Sequence, residues 1–228
     1  MNSKYTTMKR PLHRTVTTIA CVLMIFSGCN SQEKATVKKV DSPLTKEDAT
    51  AVTSRSPNSQ DQTAAPTKVE PAIPLQNFLD AALNGDTDTI QSALNSKFDV
   101  NSTNEQNRSA VMLAAFNGHT NIVKLLVRNG ASPNLRDSSG RTALMFAATG
   151  DNSDTVEFLI VSGAELDAVD KSEGFTALMF AAAEGQTEVV RTLLKYKADP
   201  SIKDADGESA FGFANKNGHV EAAKLLSN

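Results

Sequence analysis

One nine-residue pattern recurs four times in the chain and constrains the fold more than any other feature. Its first copy reads Asn-Arg-Ser-Ala-Val-Met-Leu-Ala-Ala at residues 107–115, and later copies begin at Gly140, Gly174 and Gly207. Successive copies are therefore 33, 34 and 33 residues apart. A second apolar block, such as Ile-Val-Lys-Leu-Leu at residues 122–126, follows each copy. A short period of this kind predicts small units that bury their apolar faces by stacking on their neighbours.

Each unit is predicted to contain two short helices. A hydroxyl residue precedes each first helix, where its oxygen can accept from a free N–H of the first turn. Alanines in that helix let the neighbouring unit approach closely, and the Val and Leu residues of the second block form an apolar stripe. Gly118 suits the turn between the helices, and Gly130 suits the left-handed position that ends the second helix. The hydroxyl residues are Ser109, Thr142, Thr176 and Ser209.

The pattern resembles the ankyrin repeat, a 33-residue unit with a β-turn and two helices. Four copies occupy residues 104–228, and a degenerate fifth copy precedes them. In that copy Asp80, Gln91 and Ser92 are polar at positions that are apolar elsewhere, which suits a terminal cap. The resemblance implies an all-α solenoid of stacked helix–turn–helix units with inter-repeat β-turns. The expected repeats are residues 74–103, 104–136, 137–169, 170–203 and 204–228.

The chain departs from the family pattern in several places. Ala replaces the family Pro in all four full copies, and Met or Gly replaces the His that follows the Leu position. The family contact of that His is therefore lost, which implies some loss of rigidity without loss of the fold. Asn152 replaces the later family His in the third repeat, and Lys197 replaces a helix-ending Gly. The turn before the fourth repeat is one residue longer, by Glu173 or a neighbour.

Residues 1–28 have the pattern of a secretory signal peptide. Four basic residues and no acidic one lie in residues 1–14, and residues 15–26 are mostly apolar. An apolar stretch this short cannot span a bilayer as a helix, which takes about 20 residues. Ser27-Gly28-Cys29 resembles the lipobox of bacterial lipoproteins, although Phe26 stands where the family prefers Leu. The resemblance implies cleavage before Cys29 and attachment of the chain to a membrane through acylated Cys29.

Residues 29–73 are predicted to be a lipidated N-terminus followed by a disordered tether. Residues 30–73 contain no aromatic residue, four prolines, and six basic residues against six acidic ones. Such a segment cannot bury enough apolar surface to offset its ordering entropy. Asn30 stands where lipoproteins of the inner membrane carry Asp, so the family resemblance implies the periplasmic face of the outer membrane. No disulfide is expected, because Cys21 lies in the segment to be removed.

Residues 74–228 show no recognisable pattern for catalysis, a cofactor or nucleic-acid binding. The 13 Lys and Arg residues against 20 Asp and Glu residues give a net charge of −7, which disfavours binding to a phosphate backbone. His119 and His219 each follow a turn glycine and lie three repeats apart. At 8–10 Å per packed helix that is roughly 30 Å, too far for a shared metal ion. We expect structural roles for both, no cofactor and no enzymatic activity.

A fold of this kind presents an extended concave surface, and we expect this surface to bind another protein. Phe116, Phe175 and Arg141 are expected to face solvent, and Arg108, Arg136 and Arg141 to cluster in a domain that is otherwise acidic. Aromatic and Arg side chains are over-represented at binding hot spots, so these residues are candidates for the binding surface. The family resemblance adds the turn tips and the two residues after each Ala-Ala pair. The candidate contact residues are Glu105, Arg108, Phe116, Asn117, Arg136, Arg141, Thr149, Lys171, Phe175 and Glu184.

Three functions are compatible with these observations. The first is a monomeric, lipid-anchored scaffold that binds an envelope or periplasmic protein whose identity the sequence does not give. The second is an immunity protein that occludes a toxin delivered into the periplasm, a role that ankyrin-repeat proteins of bacteria can have. The third and least favoured is an enzyme with an unrecognised site.

Overall fold

The helices of this protein come in consecutive short pairs. The computed structural model describes residues 73–227, and the predicted signal peptide, Cys29 and nearly all of the predicted tether lie outside that range. No β-strand is assigned within residues 73–227; two isolated bridges occur in connecting turns. The pairs are α1 (Leu75–Asn84) with α2 (Thr87–Asn95), α3 (Ala110–Phe116) with α4 (Thr120–Arg128), α5 (Ala143–Ala148) with α6 (Ser153–Val161), α7 (Ala177–Glu184) with α8 (Thr187–Lys195), and α9 (Ala210–Lys216) with α10 (Val220–Leu226).

In four of the five pairs the first helix begins directly after the hydroxyl residue that the sequence indicated. The hydroxyl oxygens of Ser109, Thr176 and Ser209 each accept from the backbone N–H three residues later. This satisfies a donor that the helix itself cannot pair. Thr142 has the same backbone conformation, but its hydroxyl accepts no such bond and is buried without a partner. The predicted cap is therefore confirmed at Ser109, Thr176 and Ser209 and wrong at Thr142.

The core lies between the pairs. The first helices, here called the inner helices, pack on one another more closely than the second, or outer, helices do. Small side chains such as Ala114 and Ala147 are completely buried at these contacts and permit the close approach. The stack therefore curves toward the inner helices. The outer helices seal the other side with Leu126, Leu159 and Leu193, all fully buried as predicted.

Two positions with positive φ show how the chain reverses direction. Gly130 ends α4 with φ +92°, in the left-handed region that glycine enters without strain. Lys197 occupies the equivalent position after α8 with φ +69°. A side chain at such an angle costs about 1–2 kcal/mol, so the fourth repeat tolerates a local strain that the second avoids.

In each of the last four repeats, a polar side chain at an equivalent position forms a hydrogen bond to the preceding repeat. His119 Nε2 lies 3.0 Å from the carbonyl oxygen of Leu83, and His219 Nε2 lies 3.0 Å from that of Ala183. Asn152 and Gln186 hold the same place in the repeats between, where their amide nitrogens donate to carbonyls of the preceding inner helix. The structural role expected for the two histidines is confirmed, and Asn152 takes over the role of the His that it replaces.

The two ends of the stack differ in polarity. On the first repeat Gln91 and Ser92 are exposed and Asp80 is half-buried, as expected for a polar cap. On the last described repeat Phe211 is 41% exposed and Val220 is 60% exposed. None of the helices in the described part of the chain is both long and apolar enough to cross a membrane.

Candidate protein-binding surface

The connecting turns are held rigid by one side chain each. Asp137 Oδ1 accepts from the backbone N–H groups of Ser139 and Arg141 at 2.9 and 2.8 Å. Asn104, Asp170 and Asp204 do the same in their own turns. This is the local side-chain chemistry that makes Asn and Asp favourable in turns.

Backbone hydrogen bonds join each turn to the next. The N–H of Ser138 donates to the carbonyl of Gln106 at 2.9 Å, and the N–H of Lys171 donates to that of Ser139 at 2.8 Å. The N–H of Ala205 continues the series to Glu173 at 2.8 Å. The turn tips therefore form a pre-organised edge along the inner helices, which lowers the entropy cost of binding a partner.

Two rows of side chains border this edge and define the surface that we call the concave face. The first row precedes the inner helices, and the second row stands at or just after their C-terminal ends. Aromatic rings of the inner helices connect the rows: the ring of Phe116 meets the ring of Phe146 edge-on at 6.4 Å. The first row is Arg108, Arg141, Phe175 and Glu208; the second is Phe116, Thr149, Ala183 and Lys216.

Arg141 is not the exposed residue that the sequence led us to expect. Its side chain is 15% exposed and lies against Asp137, whose side chain is 2% exposed. Its Nε and Nη2 donate to Asp137 Oδ2 at 3.1 and 2.9 Å, and its Cζ stands 4.9 Å from the centre of the Phe146 ring. The guanidinium is thus already occupied by a buried carboxylate and an aromatic face.

The prediction that Phe175 faces solvent is also wrong. It is 8% exposed, and its ring packs edge-on against Phe180 at 5.4 Å and Phe213 at 5.0 Å. Phe180 and Phe213 occupy the same position in consecutive inner helices, and the ring of Phe175 contacts both. The regular recurrence of Phe at that position is the sequence signal that favoured burial.

Arg136 is committed to contacts inside the domain and does not belong to a free Arg cluster. Its Nη1 donates to the carbonyls of Gly140 and Val169, and its Nη2 pairs with Glu165 at 2.7 Å. These bonds join the end of the second repeat to the third repeat. The prediction that three Arg side chains cluster for binding is therefore wrong for Arg136.

Arg108 differs from both, since its charge has no acidic partner among the described residues. Its side chain is half-buried, and its Nε is enclosed without a hydrogen-bond acceptor. Burial lowers the pKa of this guanidinium, the like charge of Arg141 lowers it further, and Asp137 opposes both effects. Even so, Arg remains charged at any physiological pH.

The remaining candidate residues are distributed around these groups. Phe116 is half-buried, so part of its ring faces solvent. Asn117 donates to the carbonyl of Leu83 at 2.7 Å and Thr149 to that of Phe146 at 2.8 Å, so both have structural bonds. Burial raises the pKa of Glu184, and the charge of His219 acts against that shift. Glu105 and Lys171 are exposed at turn tips.

The described residues offer contact surface for a partner. Within residues 73–227 no three His, Cys, Asp or Glu side chains stand close enough to hold a metal ion. A surface with rigid turns, a partly exposed aromatic ring and an uncompensated guanidinium can bind another protein through a central anchor.

The comparisons with known proteins concern the same residues. A family model described as Ankyrin repeats (3 copies) matches residues 78–170 and 150–228. No curated protein shows significant similarity to the chain. The two matched segments together include all five helix pairs, apart from the first residues of α1.

Proposed function

Because the chain belongs to the ankyrin-repeat family, we propose that it is a lipid-anchored module whose concave face binds a partner protein in the bacterial cell envelope. Ankyrin repeats are protein-interaction modules in general. The observation that carries the choice of face is Arg108, a half-buried charge without a counter-ion, on the same surface as the partly exposed Phe116. Aromatic and Arg side chains in partly enclosed positions are the groups that contribute most to binding energy.

The anchoring part of the proposal is supported by the sequence of residues 1–29. A basic start, a short apolar stretch and Gly28-Cys29 together favour export and acylation. Two or more acyl chains hold a protein firmly on a membrane, whereas a single chain binds only marginally. The scaffold would then keep its partner near the membrane, on the periplasmic face of the outer membrane if Asn30 has the effect that the lipoprotein resemblance implies.

Cysteine substitution tests the anchor directly, because the chain contains a matched control. Cys29→Ser is expected to abolish labelling by radioactive palmitate and to leave a precursor that is longer by residues 1–28. Cys21→Ser, in the segment to be removed, is expected to label and mature normally. Wild-type protein that takes up no label and leaves the membrane in high salt contradicts the proposal.

Alanine substitution tests the concave face, with a second Phe as the control. Phe116→Ala is expected to reduce capture of the native partner from detergent-solubilised membranes at least about tenfold, as hot-spot losses of 2 kcal/mol or more do. Phe211→Ala removes a more exposed ring from the end of the stack and is expected to leave capture unchanged. The opposite result would place the binding site on the end face.

A double variant that combines Phe116→Ala with Arg141→Ala is unsuitable for this test. Because Arg141 neutralises buried Asp137, its removal is expected to destabilise the third repeat and to lower capture for that reason alone. Phe116→Ala combined with Arg108→Ala is the appropriate double variant, since neither change leaves a buried carboxylate unpaired. Lys224→Ala and Glu221→Ala, which break an exposed ion pair on α10, are expected to be neutral.

A further inference from the structure

Arg108 and Arg141 hold the same position in consecutive repeats, but only Arg141 has a counter-ion. The difference arises four residues earlier in the chain. Asp137 supplies a carboxylate whose Oδ1 holds the turn and whose Oδ2 binds the guanidinium of Arg141. Asn104 holds its turn in the same way through Oδ1, but its amide carries no charge for Arg108. The second repeat therefore has the same turn as the third but lacks the carboxylate that would bind Arg108.

No other described residue neutralises the charge of Arg108 or accepts a hydrogen bond from its side chain. No side-chain nitrogen of Arg108 donates to a residue in the described range, and its Nε is enclosed. Asp137 lies close enough to influence Arg108 electrostatically, but its two oxygens already receive four hydrogen bonds. Two guanidiniums thus lie near a single carboxylate that binds only one of them. This leaves one uncompensated positive charge on a domain that is otherwise acidic.

We propose that the concave face recognises an Asp or Glu side chain of the partner protein, held by Arg108, with an apolar residue of the same partner seated on the exposed part of Phe116. This inference depends on the proposed function and specifies the chemistry of the partner. Arg108 lies near enough to Arg141 for the two charges to interact, Arg141 lies on the ring of Phe146, and that ring contacts Phe116. Charged and apolar contacts are therefore continuous across the second and third repeats.

The charge of the site favours a carboxylate over a phosphate. One carboxylate neutralises the single uncompensated guanidinium and can bind it in the bidentate manner that Arg prefers. A phosphate monoester carries nearly two negative charges at neutral pH. It would leave an excess negative charge beside Asp137 and the exposed Glu105.

The structure supplies a variant that should close the site without damaging the fold. Asn104→Asp places a carboxylate four residues before Arg108, the spacing at which Asp137 binds Arg141. The turn should persist, because Asp already fills this place in the later turns. Asn121→Asp, at an exposed position of α4, adds the same charge away from the concave face and serves as the control. A thermal melt of both variants checks that each is folded.

The probe is a phage-displayed library of random peptides, selected on the purified full chain in detergent. We expect the selected peptides to be enriched in Asp or Glu next to an apolar residue. A selected peptide should lose about ten- to a hundredfold in affinity on Asn104→Asp, the loss typical of a hydrogen bond to a charged group. Changing its acidic residue to the amide should cause a similar loss, and the two losses should not add.

The other outcomes separate this inference from the proposed function. Peptides that depend on Phe116 but show no acidic enrichment, and that bind the Asn104→Asp and Asn121→Asp variants equally, overturn the carboxylate anchor and leave the concave face as the binding site. Selected peptides that are indifferent to Phe116→Ala and Arg108→Ala overturn the proposed function, and the carboxylate anchor with it.

Discussion

The third and fifth repeats contain equivalent helix pairs in different surroundings. Comparing them shows how far the burial of a residue depends on the neighbouring repeats. Leu144 of the third repeat is completely buried, whereas Phe211 at the equivalent position of the fifth is 41% exposed. Phe146 is buried, whereas the equivalent Phe213 is half-buried. The third repeat has a helix pair on each side, and the fifth has one on a single side within residues 73–227.

The polar contacts of these two repeats follow the same division. Arg141 neutralises a buried carboxylate in the third repeat. The equivalent Glu208 in the fifth pairs with Lys216, whose side chain is 64% exposed. Because each repeat touches only its neighbours, stability is approximately a sum of local terms. The same substitution should therefore cost more in the third repeat than in the fifth.

The largest difference is expected for the apolar core of the outer helices. Leu159→Ala is expected to lower the free energy of unfolding by about 2–5 kcal/mol, because the completely buried side chain leaves a cavity between two neighbours. Leu226→Ala, at the equivalent and 9% exposed position in α10, is expected to cost about 1–2 kcal/mol, since the site can relax toward solvent. Urea denaturation of the full chain measures both. Equal costs would contradict the dependence on neighbours.

A smaller difference is expected for the ionic contacts of the turns. Arg141→Ala leaves the charge of Asp137 buried and is expected to cost about 2–3 kcal/mol. The usual cost of breaking a buried pair is about 3–5 kcal/mol, but Asp137 keeps its two backbone donors here. Glu208→Ala breaks an exposed pair with Lys216 and is expected to cost at most about 1 kcal/mol.

Arg108→Ala is the matched control for the effect of Arg141. It removes the same side chain from the same position of the preceding repeat, where no carboxylate depends on it. We expect a cost of at most about 1 kcal/mol, from lost packing of the aliphatic part of the side chain. A cost as large as that of Arg141→Ala, again from urea denaturation, would indicate that Arg108 has a structural partner in solution.

The sequence was sufficient for those parts of the fold that local chemistry determines. Helix starts at hydroxyl residues, apolar stripes and turn glycines each depend on a few neighbouring residues, and these predictions were confirmed at nearly every repeat. Lys197 adopts the left-handed conformation at the position that the repeat period had already identified, although it is not a glycine.

The candidate binding residues were harder to predict because their exposure depends on adjacent repeats. Phe175 follows Asp170 by five residues, where Arg141 follows Asp137 by four, and only the packed structure places its ring between Phe180 and Phe213. The uncompensated charge of Arg108 has a visible sequence cause, Asn104 in place of Asp, but its meaning requires the geometry of the Asp137 turn.

The smallest expected effect concerns the cap of the inner helix, and here the order of the two repeats is reversed. The hydroxyl at the helix start stabilises the fifth repeat more than the third. Ser209 accepts from the N–H of Gly212 at 3.4 Å, whereas the hydroxyl of Thr142 is buried without a partner. Ser209→Ala is expected to cost about 0.5–1 kcal/mol. Thr142→Val keeps the shape of the side chain and removes an unpaired hydroxyl, so it is expected to be neutral or stabilising by up to about 1 kcal/mol.

Thr176→Val is the matched control for Thr142, because the two residues occupy the same position one repeat apart. The Thr176 hydroxyl accepts from the N–H of Met179 at 3.2 Å, so the same substitution removes a real cap there and is expected to cost about 1 kcal/mol. Thermal denaturation compares the three variants at one pH. A loss at Thr142 equal to that at Thr176 would show that the Thr142 hydroxyl caps α5 in solution, and the reversal between the third and fifth repeats would then disappear.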